Sequence, residues 1–177
     1  SRRQRLELRR GKVQVLIWAP PGKFVIDTPS ARAVDLGCQY ELSVDGAGDG
    51  LLRVQTGWVA FQAGVYESFI PAGAACRTTK VGGPGIPYFE DAPEGFRTAL
   101  ERFDQQKTDD ALRVVLAQAR REDGVTLWHL LTRVSWKQAG PVFDRFSSLV
   151  PLPSAVSRDK ALSHDSATLD LCWNALN

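Results

Sequence analysis

Apolar and polar residues alternate along the first half of the chain with the two-residue period of β-strands. In one segment Tyr40, Leu42 and Val44 are separated by Glu41 and Ser43, a pattern typical of a strand with one buried face. Other short apolar runs end at turns rich in glycine, proline, aspartate and serine, for example at 20–22, 28–30 and 45–50. Residues 5–80 are therefore predicted to form an all-β domain, either a sandwich or a solenoid-like fold.

An internal repeat supports this prediction. Residues 6–15 align without a gap on residues 52–61, with leucine, glycine and valine at the same relative positions. The repeated unit reads as strand, glycine, strand. We expect Gly11 and Gly57 each to adopt a backbone conformation that a Cβ atom would strain.

The pattern changes twice in the second half. Residues 81–90 are rich in glycine and proline, which predicts a connector. From residue 91 the apolar positions follow a helical spacing, as at Phe96, Leu100 and Phe103. Residues 91–177 are therefore predicted to form an antiparallel helical array, and the whole chain a segregated α+β fold.

Composition narrows the class of protein. The chain has 177 residues, 44% of them hydrophobic and 24% charged, which is typical of a globular protein. No run of about 18 apolar residues occurs, so these residues are not expected to span a membrane. The chain begins without methionine, and we expect any targeting segment to lie outside it.

Positive charge is concentrated at the start. Residues 1–12 contain six basic residues and one acid, whereas the net charge of the whole chain is only +2. The simpler interpretation is a solvated strand face, and the alternative is attraction to phosphates or anionic lipid. No nucleic-acid partner is expected, because a basic tip on a mildly acidic body is not a nucleic-acid footprint.

Three cysteines, Cys38, Cys76 and Cys172, are too few and too widely spaced for a disulfide framework or a structural zinc site. Buried free thiols are one interpretation. A Cys38–Cys76 disulfide, which would leave Cys172 alone, is the alternative in an oxidising compartment.

No catalytic, cofactor or metal site emerges from the sequence. His129, next to Trp128, has no nucleophile or orienting carboxylate nearby in sequence, so a structural histidine is the preferred interpretation. The segment 164–166 contains histidine, aspartate and serine, but neighbours in sequence seldom form a triad, and we expect a loop and a helix N-cap there. No spacing selects a pair among the carboxylates Asp27, Asp35, Glu41 and Asp45.

The order of several short motifs resembles the core pattern of FecR-domain proteins. Residues 24–31 read Phe-Val-Ile-Asp-Thr-Pro-Ser-Ala, and residues 33–44 continue through Leu36-Gly37-Cys38. The strand–glycine–strand unit at 52–61 and the Ile-Pro-Ala-Gly sequence at 70–73 follow in the family order. The resemblance covers about residues 5–78, and the Gly-Pro-Gly-Ile-Pro-Tyr-Phe-Glu-Asp sequence at 83–91 looks like that of a C-terminal extension found in some of these proteins.

This resemblance implies a FecR-like extracytoplasmic signalling domain. Such a domain is periplasmic, is tethered to the inner membrane by a segment outside this chain, and signals towards an extracytoplasmic-function sigma factor. Two departures are that Cys38 stands where threonine is usual and that the chain contains no cytoplasmic sigma-binding segment. A periplasmic location would also favour the Cys38–Cys76 disulfide.

The resulting hypothesis is a non-enzymatic sensor or signal-transducing module that acts through protein–protein contacts. The expected partner is a protein of a sigma-factor pathway or an envelope receptor. Exposed sheet edges could accept a partner strand, and Trp18, Trp58 and Tyr66 are candidates for a contact surface. The alternatives are an envelope ligand- or glycan-binding module and, third, a hydrolase that uses His129 or His164.

Overall fold

The structure, a computed structural model, describes residues 4–17 and 20–176. The chain divides into two compact units, Ser1–Asp91 and Ala92–Asn177, which we call the β unit and the helical unit. Strands precede helices along the chain, so the predicted α+β fold with segregated halves is confirmed. Among the described residues no helix is both long enough and apolar enough to cross a membrane.

The β unit contains two sheets built from eleven strands in the described part of the chain. The strands are β1 (Gln4–Glu7), β2 (Gly11–Leu16), β3 (Phe24–Asp27), β4 (Arg32–Asp35), β5 (Gln39–Val44), β6 (Gly50–Thr56), β7 (Trp58–Ala63), β8 (Tyr66–Pro71), β9 (Ala74–Thr79), β10 (Gly83–Pro84) and β11 (Tyr88–Phe89). Sheet I has the order β1-β3-β4-β7-β8, and sheet II has the order β10-β9-β6-β5-β2, with β11 also pairing with β9. All the pairings are antiparallel except that of β1 with β3.

The main core of the β unit draws on both sheets. Ile26 and Phe61 of sheet I and Leu42 and Leu52 of sheet II are fully buried in one cluster. The predicted alternation in β5 is confirmed, because its even-numbered residues are buried and its odd-numbered residues are partly exposed. Removing such side chains from water is the main favourable contribution to the stability of this unit.

The internal repeat corresponds to two crossings between the sheets. β1 and β2 belong to different sheets, as do β6 and β7, and a glycine with positive φ marks each crossing, Gly11 as the first residue of β2 and Gly57 between β6 and β7. Gly57 has φ +72°, and a Cβ atom there would stand 2.1 Å from the carbonyl oxygen of Gly37. Gly11 has φ +110°. The expectation that both positions need glycine is therefore confirmed, and at Gly57 the reason is steric as well as conformational.

The glycine- and proline-rich segment, predicted as a connector, forms two short strands. Its residues form β10 and β11, both of which pair with β9, and the N–H of Gly85 donates to the carbonyl of Arg77 at 2.8 Å. Each pairing is only two residues long because proline cannot donate to a ladder. The segment therefore belongs to the β unit and extends its second sheet.

The helical unit contains six α-helices and one short 3-10 turn, Arg121–Asp123, in the described residues. Its core includes Phe96, Leu100 and Phe103 of the first helix, at the predicted spacing, with Leu127 and Phe146 from later helices. The first helix packs on the second, and the third on the fourth. The helices are α1 (Glu94–Gln106), α2 (Asp109–Gln118), α3 (Gly124–Leu131), α4 (Trp136–Leu149), α5 (Arg158–Leu162) and α6 (Ser166–Asn174).

Candidate functional site

Three ionisable side chains meet inside the β unit around the connection from β4 to β5. Asp35 ends β4 and is only 1% exposed, and its Oδ1 accepts a hydrogen bond from the N–H of Gly37 at 2.6 Å. Cys38 and Tyr40 are buried beside it. Among the residues that the structure describes, Asp35 Oδ2 and the Tyr40 hydroxyl have no hydrogen-bond partner.

This cluster does not provide a nucleophile at neutral pH. Burial, a hydrogen bond with Asp35 and the charge of that carboxylate together raise the pKa of Cys38 to about 12. Burial also raises the pKa of Tyr40, with added contributions from Cys38 and Asp35. Because the thiolate is the reactive form of cysteine, a thiol held protonated in this way is chemically inert.

In the sequence, Asp35 is only one of four candidate carboxylates, and Tyr40 is only an apolar residue of a predicted strand. The available signal was the sequence Asp35-Leu36-Gly37, in which an acid at the end of a buried strand precedes a glycine. Such an aspartate commonly bonds the backbone two residues on, as it does here. The pattern predicts a turn, but it does not show that Tyr40 is buried beside the same carboxylate.

The cysteines occupy separate places, and the structure has free thiols rather than the alternative Cys38–Cys76 disulfide. All three cysteines are buried and free. Strand β6 lies between β5, which Cys38 precedes, and β9, which contains Cys76, so roughly 9–10 Å separates the two outer strands. Gln39 pairs with Thr56 and Cys76 with Leu52, which adds about 13 Å along the strand direction. A disulfide needs Cα atoms within about 7 Å.

His129 lies in the core of the helical unit, in α3. It is fully buried, with ring contacts to Trp128 at 5.0 Å and to Trp173 at 6.1 Å between centroids. Burial lowers the pKa of His129 well below its usual value, and the charge of Arg133 lowers it further. A neutral imidazole enclosed by aromatic rings is a packing residue, as the sequence suggested, and it has no access to a substrate in solvent.

The His-Asp-Ser segment at 164–166 is a helix start. Asp165 is the N-cap of α6, and its carboxylate accepts the backbone N–H of Thr168 at 3.0 Å and the hydroxyl of Thr168 at 2.7 Å. This confirms the expected loop and N-cap. Among the described residues no group of three or more histidine, cysteine or acidic side chains is placed to hold a metal ion.

The three aromatic candidates for a contact surface do not form one patch in the described part of the chain. Trp18 lies outside the described residues. Trp58 is half-buried and pairs with Pro71, whereas Tyr66 is 52% exposed and pairs with Ala63. Ala63 is five positions further along β7 than Trp58, so roughly 17 Å lies between the two aromatic positions. They remain separate candidates for contact.

A more continuous feature is the outer edge of sheet II. β2 is the last strand of that sheet and pairs with β5 along its whole length, from Gly11 to Leu16. Its residues Lys12, Gln14 and Leu16 are exposed, and Leu16 is 57% exposed although it is apolar. An edge strand of this length carries backbone donors and acceptors that no strand of its own sheet can satisfy.

Charged side chains form a row that reaches this edge across the exposed face of sheet II. Lys12 Nζ lies 2.7 Å from Glu41 Oε2, and Arg53 Nη1 lies 3.5 Å from Glu41 Oε1. Arg53 Nε then donates to Glu90 Oε1 at 2.8 Å. Lys12 lowers the pKa of Glu41 through a hydrogen bond and its charge, although burial opposes this. The signs alternate along the row, and the last charge before the edge is the cation Lys12.

Comparison with known proteins finds partial similarity to solved structures. No protein-family model matches the chain, and no curated protein matches it. Two solved structures from Parabacteroides distasonis, both provisionally described as an anti-sigma factor, are 18% identical to it. They cover 54% and 52% of this chain, with TM-scores of 0.42 and 0.41. The matches span 44% and 43% of the neighbours' own chains, and TM-scores below 0.5 do not establish a shared fold.

Proposed function

We propose that this chain is the non-enzymatic sensing or signal-transducing part of a FecR-like regulator and that it acts through protein–protein contacts. In this proposal the chain lies on the extracytoplasmic side of the membrane, is tethered by a segment outside these residues, and signals in a sigma-factor pathway. The solved structures with partial similarity are provisionally described as anti-sigma factors, and they add no separate argument.

The observation that carries the proposal is where the FecR-like residues lie. Residues 24–31 form β3 and the turn after it, where the hydroxyl of Thr28 donates to the carbonyl of Ala31 at 2.8 Å and accepts its N–H at 3.0 Å. Residues 52–61 form the sheet crossing at Gly57. Gly73, which ends the Ile-Pro-Ala-Gly motif, has φ +79° in the turn before β9. The motifs thus occupy positions that determine the backbone of one β unit, and this supports a related architecture.

The chemistry of the described side chains supports a contact function over catalysis. The Cys38 thiol stays protonated, the His129 imidazole is enclosed, and Asp165 is committed to a helix cap. An acyl-transfer or hydrolytic site needs a base within hydrogen-bond reach of a nucleophile that substrate can approach. The open edge at β2 offers a different means of recognition, through backbone pairing with another protein.

A ligand-binding module is the second candidate, favoured by a surface groove of about 480 Å³ between α1 and α2. The volume is within the range of small-molecule sites. Its lining includes Glu94, Arg102 and Asp110 together with several small residues, and none of its lining residues is aromatic. The groove therefore suits a small charged ligand better than a sugar that stacks on aromatic rings.

A crosslinking pull-down from native cells, with the full-length protein as bait and mass spectrometry as readout, tests the proposal. Recovery of a sigma-pathway protein or an envelope receptor is the expected result. Recovery of no such protein, together with a rise in melting temperature of the purified chain when the charged stem peptides of cell-wall muropeptides are added, would replace it with the binding-module function.

A further inference from the structure

The register of β2 identifies which of its backbone groups are available to another strand. The N–H of Ile17 donates to the carbonyl of Cys38 at 3.2 Å, and the same register pairs Val15 with Tyr40 and Val13 with Leu42. In an antiparallel pair every second residue bonds to the neighbour and the residues between point the other way. The N–H and C=O groups of Lys12, Gln14 and Leu16 therefore point away from β5.

The two six-residue edge strands, β8 of sheet I and β2 of sheet II, differ in whether other residues of the chain lie against them. β8, at one end of sheet I, is flanked by the segment that contains β10, and the hydroxyl of its Ser68 donates to the carbonyl of Gly85 at 2.7 Å. β2, at one end of sheet II, pairs within the described residues only with β5. The chain thus covers one long edge with its own residues, and in the described structure it leaves the other uncovered.

The charged row across sheet II specifies the chemistry of a strand added at that edge. From Glu90 through Arg53 and Glu41 to Lys12 the signs alternate, and the row ends on a cation. Opposite charges on directly opposed cross-strand residues are favourable, and like charges are unfavourable. The residue that continues the row beyond Lys12 is therefore an acid.

We propose that β2 is a docking strand that pairs with an extended acidic segment of a partner protein. An acidic residue of the segment faces Lys12, and because strand residues four apart share a face, an apolar residue four positions away faces Leu16. This inference rests on the proposed function, since it takes the partner to be a protein, and it names the site and the chemistry of that contact.

The same row argues against a second copy of the chain as the occupant. If two β2 strands paired antiparallel about Gln14, Lys12 of one copy would face Leu16 of the other, so a cation would lie against an apolar side chain. Parallel pairing in register would place Lys12 against Lys12, which is repulsive. An acidic strand avoids both arrangements.

The test measures binding of two acetylated, amidated heptapeptides to the purified chain by titration calorimetry. One peptide has threonine at every odd position and glutamate, glutamine and leucine, in that order, at the even positions. In the other peptide, lysine replaces the glutamate. We expect the glutamate peptide to bind about fivefold more tightly. The substitution Lys12→Glu should reverse this preference. Equal binding of the two peptides, or no binding of either, would overturn the proposal.

A second pair of variants tests the backbone contact. Gln14→Pro removes an N–H that points away from β5, so the sheet should remain intact while glutamate-peptide binding falls about tenfold. Gln14→Ala keeps that N–H and should bind within about twofold of the original chain. If Gln14→Pro fails to fold, amide exchange on the unsubstituted chain decides instead. The peptide should slow exchange at Lys12, Gln14 and Leu16, and unchanged exchange there would contradict the proposal.

The same variants separate this inference from the proposed function. If the pull-down recovers an envelope or sigma-pathway protein that Gln14→Pro and Lys12→Glu both still bind, the proposed function holds and the docking strand is wrong. Concentration-dependent dimerisation with protection of those same amides would assign the edge to a second copy and also overturn the proposal. Peptide binding with the expected charge preference supports the docking strand whichever protein is recovered.

Discussion

Glycine residues adopt different backbone conformations in the β unit and in the helical unit. In the described part of the chain, all eight glycines with positive φ, from Gly11 to Gly83, lie in the β unit. In the helical unit Gly95, Gly124 and Gly140 lie in helices, with negative φ. The β unit therefore depends on glycine at these backbone conformations, whereas the helical unit, whose positive-φ residues Lys107 and His164 are not glycine, depends on which apolar side chains fill its core. Substitutions that add or remove atoms should affect the two units differently.

The largest effect is expected for Gly57→Ala. The added Cβ would stand 2.1 Å from the backbone oxygen of Gly37, and φ of +72° is unfavourable for alanine. We expect a loss of about 4 kcal/mol or more in the free energy of unfolding, measured by urea denaturation. Gly46→Ala is the matched control, because a Cβ there meets nothing within 4 Å and its φ is not positive. Similar losses for the two variants would refute the steric explanation.

The next effect belongs to the helical unit. Phe146→Ala in α4 removes a fully buried aromatic ring from the core, and we expect a loss of about 3 kcal/mol. Amide exchange should show faster opening in the helices. Ser147→Ala, at the neighbouring exposed position, should change stability by less than about 0.5 kcal/mol. Equal effects at the two positions would show that core volume does not control this unit.

The sequence predicted the apolar core of the helical unit more completely than the steric need for glycine at position 57. The spacing of Phe96, Leu100 and Phe103 places all three on one face of a helix. The sequence alone therefore predicted which residues of the first helix are buried. The glycine of the repeat indicated a tight connection, but the contact of Gly57 with Gly37 joins residues that are distant along the chain. No local pattern reports such a pairing.

The candidate site was less predictable than the fold. An edge strand resembles any other half-buried strand in sequence, so the open side of β2 follows only from the strand order. The row from Glu90 to Lys12 likewise assembles residues from four separate segments. The choice between free thiols and a Cys38–Cys76 disulfide stayed open in the sequence for the same reason, because spacing along the chain does not show that β6 separates the two cysteines.

A decrease in pH should lower the free energy of unfolding of the two units by different amounts, and this difference should be smaller than the effects of the two substitutions above. Both histidines of the chain, His129 and His164, lie in the helical unit, and burial lowers the pKa of His129. In the unfolded chain this histidine binds a proton below about pH 6.5, whereas in the folded unit it does not. Stability of the helical unit is therefore fully present above pH 6.5 and falls as the pH decreases, by up to about 1.4 kcal/mol per pH unit.

The β unit should respond in a lower pH window. Burial opposes ionisation of Asp27, but hydrogen bonds from Arg32 and Arg5 hold its pKa below the usual value. The stability that this carboxylate contributes is present above about pH 4 and is lost as the pH falls further. Relative to the intrinsic exchange rate at each pH, amide protection should decrease between pH 7 and pH 5 in the helices and not in the strands. His129→Phe should abolish most of that difference, and an unchanged difference in this variant would exclude His129 as its cause.

The smallest expected effect has the opposite sign to the first. Gly95 lies in the first turn of α1, where alanine has the higher helix propensity. A Cβ there would stand 2.8 Å from the end of the exposed Gln118 side chain, which can rotate away at little cost. We expect Gly95→Ala to stabilise the helical unit by about 0.5 kcal/mol in thermal unfolding. Destabilisation that Gln118→Ala relieves would show that this contact is rigid. Destabilisation that persists in the double variant would mean that glycine is required in the helical unit as well, and the contrast between the two units would fail at this position.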